Sequence, residues 1–272
     1  MFNIKDREHV RECVLDLAKE DARVVAGAVV GSLALSEGDR WSDLDLTFAV
    51  TDNVPIMEVL EDWTRKLITK FDATQLFDLP AGASIYRVFL LPGCLQFDLS
   101  FTPASQFGAI GPKFELLFGT SVEKPFIQPT GANELFGYGV HHAVRARICI
   151  ERGRYWQAEY WLSGARDYAL SLACRRRGLS PFYGRGFDDL PANVRETFTR
   201  ALPASLQRED LWAALCAALN GMLHEAADLQ DSFEKIEPRL REPNATVKCL
   251  TSRCSQPRTV GMRRVRYLCA NL

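Results

Sequence analysis

The order of apolar and polar positions divides the chain into two parts with different periodicities. In the first part, short apolar runs bounded by turn residues predict strands near residues 24–30, 44–50, 73–77, 84–91 and 95–101. Between and before them, residues 4–21 and 55–71 repeat apolar side chains at intervals of three and four, which predicts two amphipathic helices. The N-terminal part is therefore predicted to be a small mixed β-sheet with flanking helices.

From about residue 131 the pattern changes to the 3.6-residue period of helices. Phe136, Val140 and Val144 mark one helix, and longer stripes cover residues 155–172 and 211–233, with a shorter helix near 191–201. Four such stripes predict a helical bundle, so the fold class is α+β. After Pro238 the periodicity is lost, as is typical of a disordered segment. The predicted organisation is a sheet domain over 1–125, a helical bundle over 126–237 and a tail over 238–272.

Charge is balanced overall but unevenly placed. The 272 residues contain 33 Lys and Arg against 34 Asp and Glu, yet the six basic residues after Pro243 are accompanied by no acid. The body is thus acidic and the tail basic. A net charge of −1 and the absence of a basic stripe with interleaved aromatics argue against a nucleic-acid partner.

Nothing in the sequence indicates a membrane or secreted protein. The N-terminus is charged from Lys5 onward without an apolar signal region, and no run approaches the roughly 18 apolar residues of a membrane span. Most of the eight cysteines lie in apolar, periodic stretches, which is typical of thiols in a reducing compartment. These features predict a cytoplasmic protein and do not indicate an oligomeric state.

The chemistry-bearing residues lie at the ends of the first two predicted strands. Gly31 and Ser32 follow the first strand, where a glycine permits close backbone approach and a serine hydroxyl can donate to phosphate. After a gap of ten residues, Asp43 and Asp45 share one face of the next strand because strand side chains alternate. Two adjacent carboxylates repel, so a hard divalent cation between them is the economical explanation.

A third carboxylate lies on the strand near residues 95–101. Leu95, Phe97 and Leu99 alternate toward the core, which leaves Asp98 on the opposite face. If this strand neighbours the strand of Asp43 and Asp45, the three carboxylates converge. The alternative interpretations are a solvated strand face for Asp43 and Asp45, a surface carboxylate for Asp98, and an N-cap role for Ser32, which is compatible with phosphate binding.

The joint pattern over about residues 24–101 resembles the DNA polymerase β-type nucleotidyltransferase superfamily. It consists of a hydrophobic-Gly-Ser turn, a ten-residue gap, an Asp-hydrophobic-Asp strand and a later strand-borne aspartate. A helical bundle after a minimal catalytic domain is similar to the antibiotic (aminoglycoside and lincosamide) nucleotidyltransferases, through architecture and not through a motif.

The resemblance implies a two-metal nucleotidyl transfer. Gly31 and Ser32 would hold the triphosphate of ATP, and Asp43 and Asp45 would hold two Mg²⁺ ions. Asp98 would ligate the second ion and take the proton of an acceptor hydroxyl. The expected product is an AMP-modified small molecule, with antibiotic resistance as the corresponding role.

The acceptor is expected on the helical bundle, which we interpret as the acceptor-binding domain. Its acids Glu134, Glu159 and Asp167 are candidates to receive a cationic acceptor such as an aminoglycoside, and each is equally interpreted as a solvated helix residue. Two other hypotheses remain open: a protein adenylyltransferase of the toxin–antitoxin type, and a catalytically silent nucleotide-binding module.

Overall fold

The computed structural model of the chain describes residues 1–35, 38–227 and 229. The predicted basic tail over 238–272 lies outside these residues, as does the end of the last apolar stripe. The chain forms two compact units, one up to Gln128 and one from Pro129 onward.

The first unit contains two helices and six strands. The helices are α1 (Ile4–Glu20) and α2 (Ile56–Phe71), and the strands are β1 (Val24–Val30), β2 (Leu44–Val50), β3 (Thr74–Ala81), β4 (Ser84–Leu91), β5 (Leu95–Pro103) and β6 (Phe114–Phe118). The strands form one sheet in the order β3-β4-β5-β2-β1-β6. All neighbours are antiparallel except β2 and β5, which are parallel, so the sheet is mixed as predicted.

Each face of the sheet has a different environment. One face packs against α1 and α2 through a core that includes Phe48, Trp63 and Phe101, all fully buried. The Trp63 ring meets the Phe101 ring edge-on, with 5.1 Å between ring centroids. We call the opposite side, away from α1 and α2, the open face; near β1 it carries a smaller cluster that includes Ala28, Ala49 and Phe107.

The strands differ from the prediction in two respects: β3 is longer than predicted, and β6 was not predicted. β3 runs through Pro80 to Ala81, where the sequence predicted a turn, and the chain reverses at Gly82 with a positive φ of 61°. β6 was not predicted, because its five residues do not alternate between apolar and polar. Of the free cysteines described, Cys149 and Cys174 are buried as expected, whereas Cys94 is exposed.

Charged groups join the two helices next to the start of β1. The Trp63 indole donates to Asp21 at 2.9 Å, and Arg23 binds the same carboxylate through two nitrogens at 2.9 and 2.8 Å. The hydrogen bond from Arg23 holds the pKa of Asp21 far below its ordinary value of 3.8, against the opposing effect of burial. Arg23 also binds Asp62 of α2 at 2.7 Å, so one guanidinium joins the end of α1 to α2.

The second unit is helical, and the fold class is therefore α+β as predicted. Its helices are α3 (Ala132–Glu151), α4 (Tyr155–Arg176), α5 (Ala192–Thr199) and α6 (Arg208–Glu225). Small side chains such as Ala146, Ala158 and Ala165 fill its core, which lets the helix backbones approach closely. Glu225 is buried and accepts from Arg177 at 2.7 Å, which joins the end of α6 to the end of α4. No helix among the described residues is long and apolar enough to span a membrane.

We predict that Asp21→Asn destabilises the first unit in a pH-dependent way. At pH 7 the variant loses charge-assisted hydrogen bonds worth about 1.5–3 kcal/mol. A depressed carboxyl pKa stabilises the fold above the unfolded-state pKa, and this stabilisation is lost as pH falls toward the folded-state pKa. The difference in unfolding free energy between wild type and variant should therefore shrink by about 1 kcal/mol between pH 7 and pH 3.

Urea unfolding at the two pH values measures this difference. Asp16→Asn is the control, since Asp16 is 70% exposed and pairs only loosely with Lys19 at 3.5 Å. A gap between wild type and Asp21→Asn that stays constant from pH 7 to pH 3 would contradict the assignment.

Candidate active site

The parallel pairing of β2 with β5 brings the predicted carboxylates together. Asp45 and Asp98 are register partners on the two strands, and the flanking Leu44, Leu46, Phe97 and Leu99 are buried on the helix side. Both carboxylates therefore project from the open face, side by side across one strand spacing of about 4.8 Å. The condition set by the sequence, that the two strands be neighbours, is met.

Asp43 lies one residue before β2, and its charge acts on Asp98. Burial raises the pKa of Asp98, a hydrogen bond from Gln96 at 3.0 Å lowers it, and the negative charge of Asp43 raises it further. Asp98 is thus coupled electrostatically to Asp43 and paired in register with Asp45. Within residues 1–35, 38–227 and 229, however, no group of three or more Asp, Glu, His or Cys side chains is arranged to hold a metal ion.

Gly31 is required by its position next to Asp45. Its φ of 73° is in the left-handed region, and a Cβ built on it would overlap the Asp45 carboxylate oxygen. The backbone of the Gly31–Leu35 3₁₀ turn can approach the carboxylate only because this side chain is missing. Gly31 N–H donates to the carbonyl oxygen of Lys113 at 3.3 Å. Ser32 is half-buried in the same turn, so Gly31 lies beside Asp45 and Ser32 is the next residue of the turn, while phosphate binding by the two stays a prediction.

The sequence analysis missed a buried arginine that fixes the loop before Asp43. Arg7 of α1 is 4% exposed and donates through Nη1 to the carbonyls of Asp39 and Ser42, at 2.7 and 2.9 Å. Ser42 directly precedes Asp43, so this contact sets where β2 begins. The available signal was that Arg7 occupies the buried stripe of α1 with Val10 and Val14.

Hydroxyl groups extend the polar part of the open face next to the carboxylates. Ser100 donates to Thr47 at 2.8 Å, and Ser84 and Thr102 are joined at 2.7 Å. Tyr86 of β4 is half-buried beside them; burial raises its pKa, a hydrogen bond with Ser100 lowers it, and the charge of Asp45 raises it. Tyr86 was also missed, because its strand carries no charge pattern that distinguishes it.

The three acids proposed to contact the acceptor lie on the second unit. Glu134 of α3 accepts from the Tyr138 hydroxyl at 3.0 Å, and Glu159 of α4 accepts from Ser163 at 2.8 Å. Asp167, exposed on α4, lies 3.4 Å from Arg166. Glu159 and Asp167 are eight residues apart and so face the same side of α4. Each acid has a polar neighbour on its own helix, and their binding role stays a prediction.

The fold is similar to that of several proteins of known structure, two of which are described here. No protein-family model and no curated protein matches the chain. An aminoglycoside 6-adenyltransferase from Bacillus subtilis is 15% identical over 84% of this chain and 95% of its own, with a TM-score of 0.37. A nucleotidyltransferase-like protein from Exiguobacterium sibiricum is 12% identical over 86% and 79%, with a TM-score of 0.36. Residue roles are therefore argued from the geometry of this chain alone.

We predict that Gly31→Ala costs more stability than Gly82→Ala. Both glycines have positive φ, which costs an alanine about 1 kcal/mol. Only at Gly31 does the added Cβ also meet Asp45, whereas no atom lies within 4 Å of a Cβ at Gly82. Urea unfolding should show an excess loss of about 1–3 kcal/mol for Gly31→Ala, the usual cost of overpacking. Equal losses for the two variants would mean that Asp45 does not constrain this turn.

Proposed function

We propose that this chain is a metal-dependent nucleotidyltransferase that moves AMP from ATP to a hydroxyl group of a small molecule. The observation that carries the proposal is the pairing of Asp45 with Asp98 on adjacent parallel strands, beside a glycine turn whose backbone lies directly against the Asp45 carboxylate. Nucleotidyl transfer needs a cation at the triphosphate and a base at the acceptor hydroxyl. This part of the sheet supplies candidates for both.

The donor chemistry fits Mg²⁺. All three candidate ligands, Asp43, Asp45 and Asp98, are carboxylates, the hard oxygen donors that Mg²⁺ prefers. Mg²⁺ in phosphoryl-transfer sites is held by one or two carboxylates together with substrate phosphates and water, so a complete protein cage is not needed. When bound, two such ions would neutralise the charge that develops on the phosphates and on the leaving pyrophosphate.

The remaining roles belong to the chain itself. Gly31 would let the triphosphate approach the backbone of the turn closely, and Ser32 would bind it through its backbone N–H and hydroxyl donors. Asp98 would accept the proton of the acceptor hydroxyl. At the same time the hydroxyl oxygen would form a bond to the α-phosphorus, and the bond between the α-phosphorus and pyrophosphate would break. A base must lie at the reacting hydroxyl. The partial burial of Asp98 on the open face is in keeping with that role.

The second unit is the proposed acceptor-binding domain. The exposed acids Glu134 and Asp167, together with the half-buried Glu159, give it negative groups suited to a cationic acceptor. The acidic balance of the body supports the same preference. A cytoplasmic location and a role in antibiotic resistance form part of this proposal.

Transfer of label from ATP tests the proposal directly. The chain is incubated with Mg²⁺, α-³²P-labelled ATP and a panel of aminoglycosides, lincosamides and cell-extract proteins. We expect label on a small molecule. Label on protein would instead support a protein adenylyltransferase, and nucleotide binding without any transfer would support a silent binding module.

We predict that Asp45→Asn and Asp43→Asn each abolish transfer while the chain stays folded. Each variant keeps the shape of the side chain and loses the negative charge that holds a cation. Glu58→Gln, an exposed residue of α2, is the matched control and should keep full activity. Near wild-type turnover of either aspartate variant at saturating Mg²⁺ would rule out the two-metal mechanism.

We predict that Asp98→Asn mainly lowers kcat, by about 10²-fold or more, since an amide cannot accept the hydroxyl proton. The KM for ATP should change less, because Gly31, Ser32 and the other carboxylates remain. Steady-state kinetics with the acceptor found above measures both constants. A rise in the KM for ATP with unchanged kcat would remove Asp98 from the proton-transfer role.

A further inference from the structure

The row of the sheet that contains the two carboxylates continues as an apolar surface. Asp98 pairs with Val88 of β4, and Val88 pairs with Phe77 of β3. In the neighbouring row, Ser100 pairs with Tyr86, and Tyr86 pairs with Leu79. Register partners share a face, so these four β3 and β4 residues lie on the open face with Asp98.

We call Phe77, Leu79, Tyr86 and Val88 the apolar platform. Phe77 is 54% exposed and Leu79 is 56% exposed, whereas Val88, which lies between Phe77 and Asp98 in the same row, is buried. Phe77 lies two strand spacings from Asp98, or about 10 Å. A small molecule whose hydroxyl lies at Asp98 can therefore reach Phe77 with a ring that is joined to the rest of the same molecule. The open face is therefore polar over β2 and β5 and apolar over β4 and β3.

The edge of the sheet beside the platform is poorly suited to receiving another strand. A bulge interrupts the β3 register between Gln75 and Phe77, and Pro80 has no N–H to donate. Bulges and prolines are devices that keep edge strands from pairing with other chains. A ligand can thus reach the exposed apolar surface from the open face of the sheet. Pairing of a second copy along the β3 edge is disfavoured.

Resting on the function proposed above, we propose that the apolar platform binds a planar, apolar group of the acceptor, whose hydroxyl lies at Asp98. A ring stacking on Phe77 and packing against Leu79 would be removed from water, while a hydroxyl on the same molecule faces the carboxylates. The acceptor class is accordingly a hydroxyl compound with an aryl or similar flat apolar substituent. A purely polycationic sugar gains nothing from this platform.

Binding of two matched glucosides to the full chain tests the proposal without depending on catalysis. 4-Nitrophenyl β-D-glucopyranoside and methyl β-D-glucopyranoside carry the same ring hydroxyls and differ in the planar group. Saturation-transfer NMR titrations are run on wild type, on Phe77→Ser/Leu79→Ser and on Ile68→Ser. Ile68 is a suitable control because it is 48% exposed on α2, on the other side of the sheet.

We expect the aryl glucoside to bind wild type and Ile68→Ser with the same affinity, and to bind the double variant about tenfold more weakly. Wild type should bind the aryl glucoside more tightly than it binds methyl glucoside. Equal binding of the two glucosides, or an unchanged affinity in the double variant, would overturn the proposal. Concentration-dependent dimerisation of wild type that the double variant loses, seen by sedimentation, would assign the platform to a second copy instead.

The transfer assay separates this inference from the proposed function. If a labelled acceptor is found, the double variant should raise the KM for that acceptor and leave the KM for ATP unchanged. Transfer with an unchanged acceptor KM would overturn the platform but not the function. Absence of any transfer, with the glucoside preference intact, would overturn the function and leave a binding site for planar hydroxyl compounds.

Discussion

The parallel pairing of β2 with β5 is the constraint on which the candidate site depends. Side chains alternate along a strand, so the register that pairs Asp45 with Asp98 also sends Leu44, Leu46, Phe97 and Leu99 into the core. A slip of one residue would bury two carboxylates and expose four apolar side chains, so the hydrophobic core fixes the register strongly. The placement of the carboxylates is thus a by-product of the same burial that stabilises the sheet.

Buried charges around this pairing are each held by a specific partner. Arg87 of β4 is 3% exposed on the helix side, where it binds both oxygens of Asp78 at 2.6 Å and the Thr64 hydroxyl at 2.9 Å. Arg7 is satisfied by two loop carbonyls. Removing one member of such a contact would leave a charge without compensation in a poorly hydrated place. The helix layer therefore has two roles. It covers the apolar face of the sheet, and it positions the loop before Asp43 and the strands of the site.

Local patterns were sufficient to predict most elements but not the contacts between them. The strict alternation over 95–101 identified β5 and the direction of Asp98, because that information is contained in one strand. Whether β5 neighbours β2 depends on a crossover connection, for which alternation carries no signal. Tyr86 and the apolar platform were missed for the same reason, since they become part of the site only through register with Asp98. The close approach of the Gly31 backbone to Asp45 was only implied by a glycine at a strand end.

In the proposed function, the electrostatics of the site would couple metal binding to nucleotide binding. Burial and the charge of Asp43 both raise the pKa of Asp98, so the ionised carboxylates lie closer together than their charges favour. A cation placed among them relieves this repulsion, while a nucleotide triphosphate alone would increase it. In the proposed function the chain would contribute only part of a coordination shell, so a cation would gain its remaining ligands when the phosphates bind. Mg²⁺ and ATP should accordingly bind with positive cooperativity, and each should bind weakly without the other.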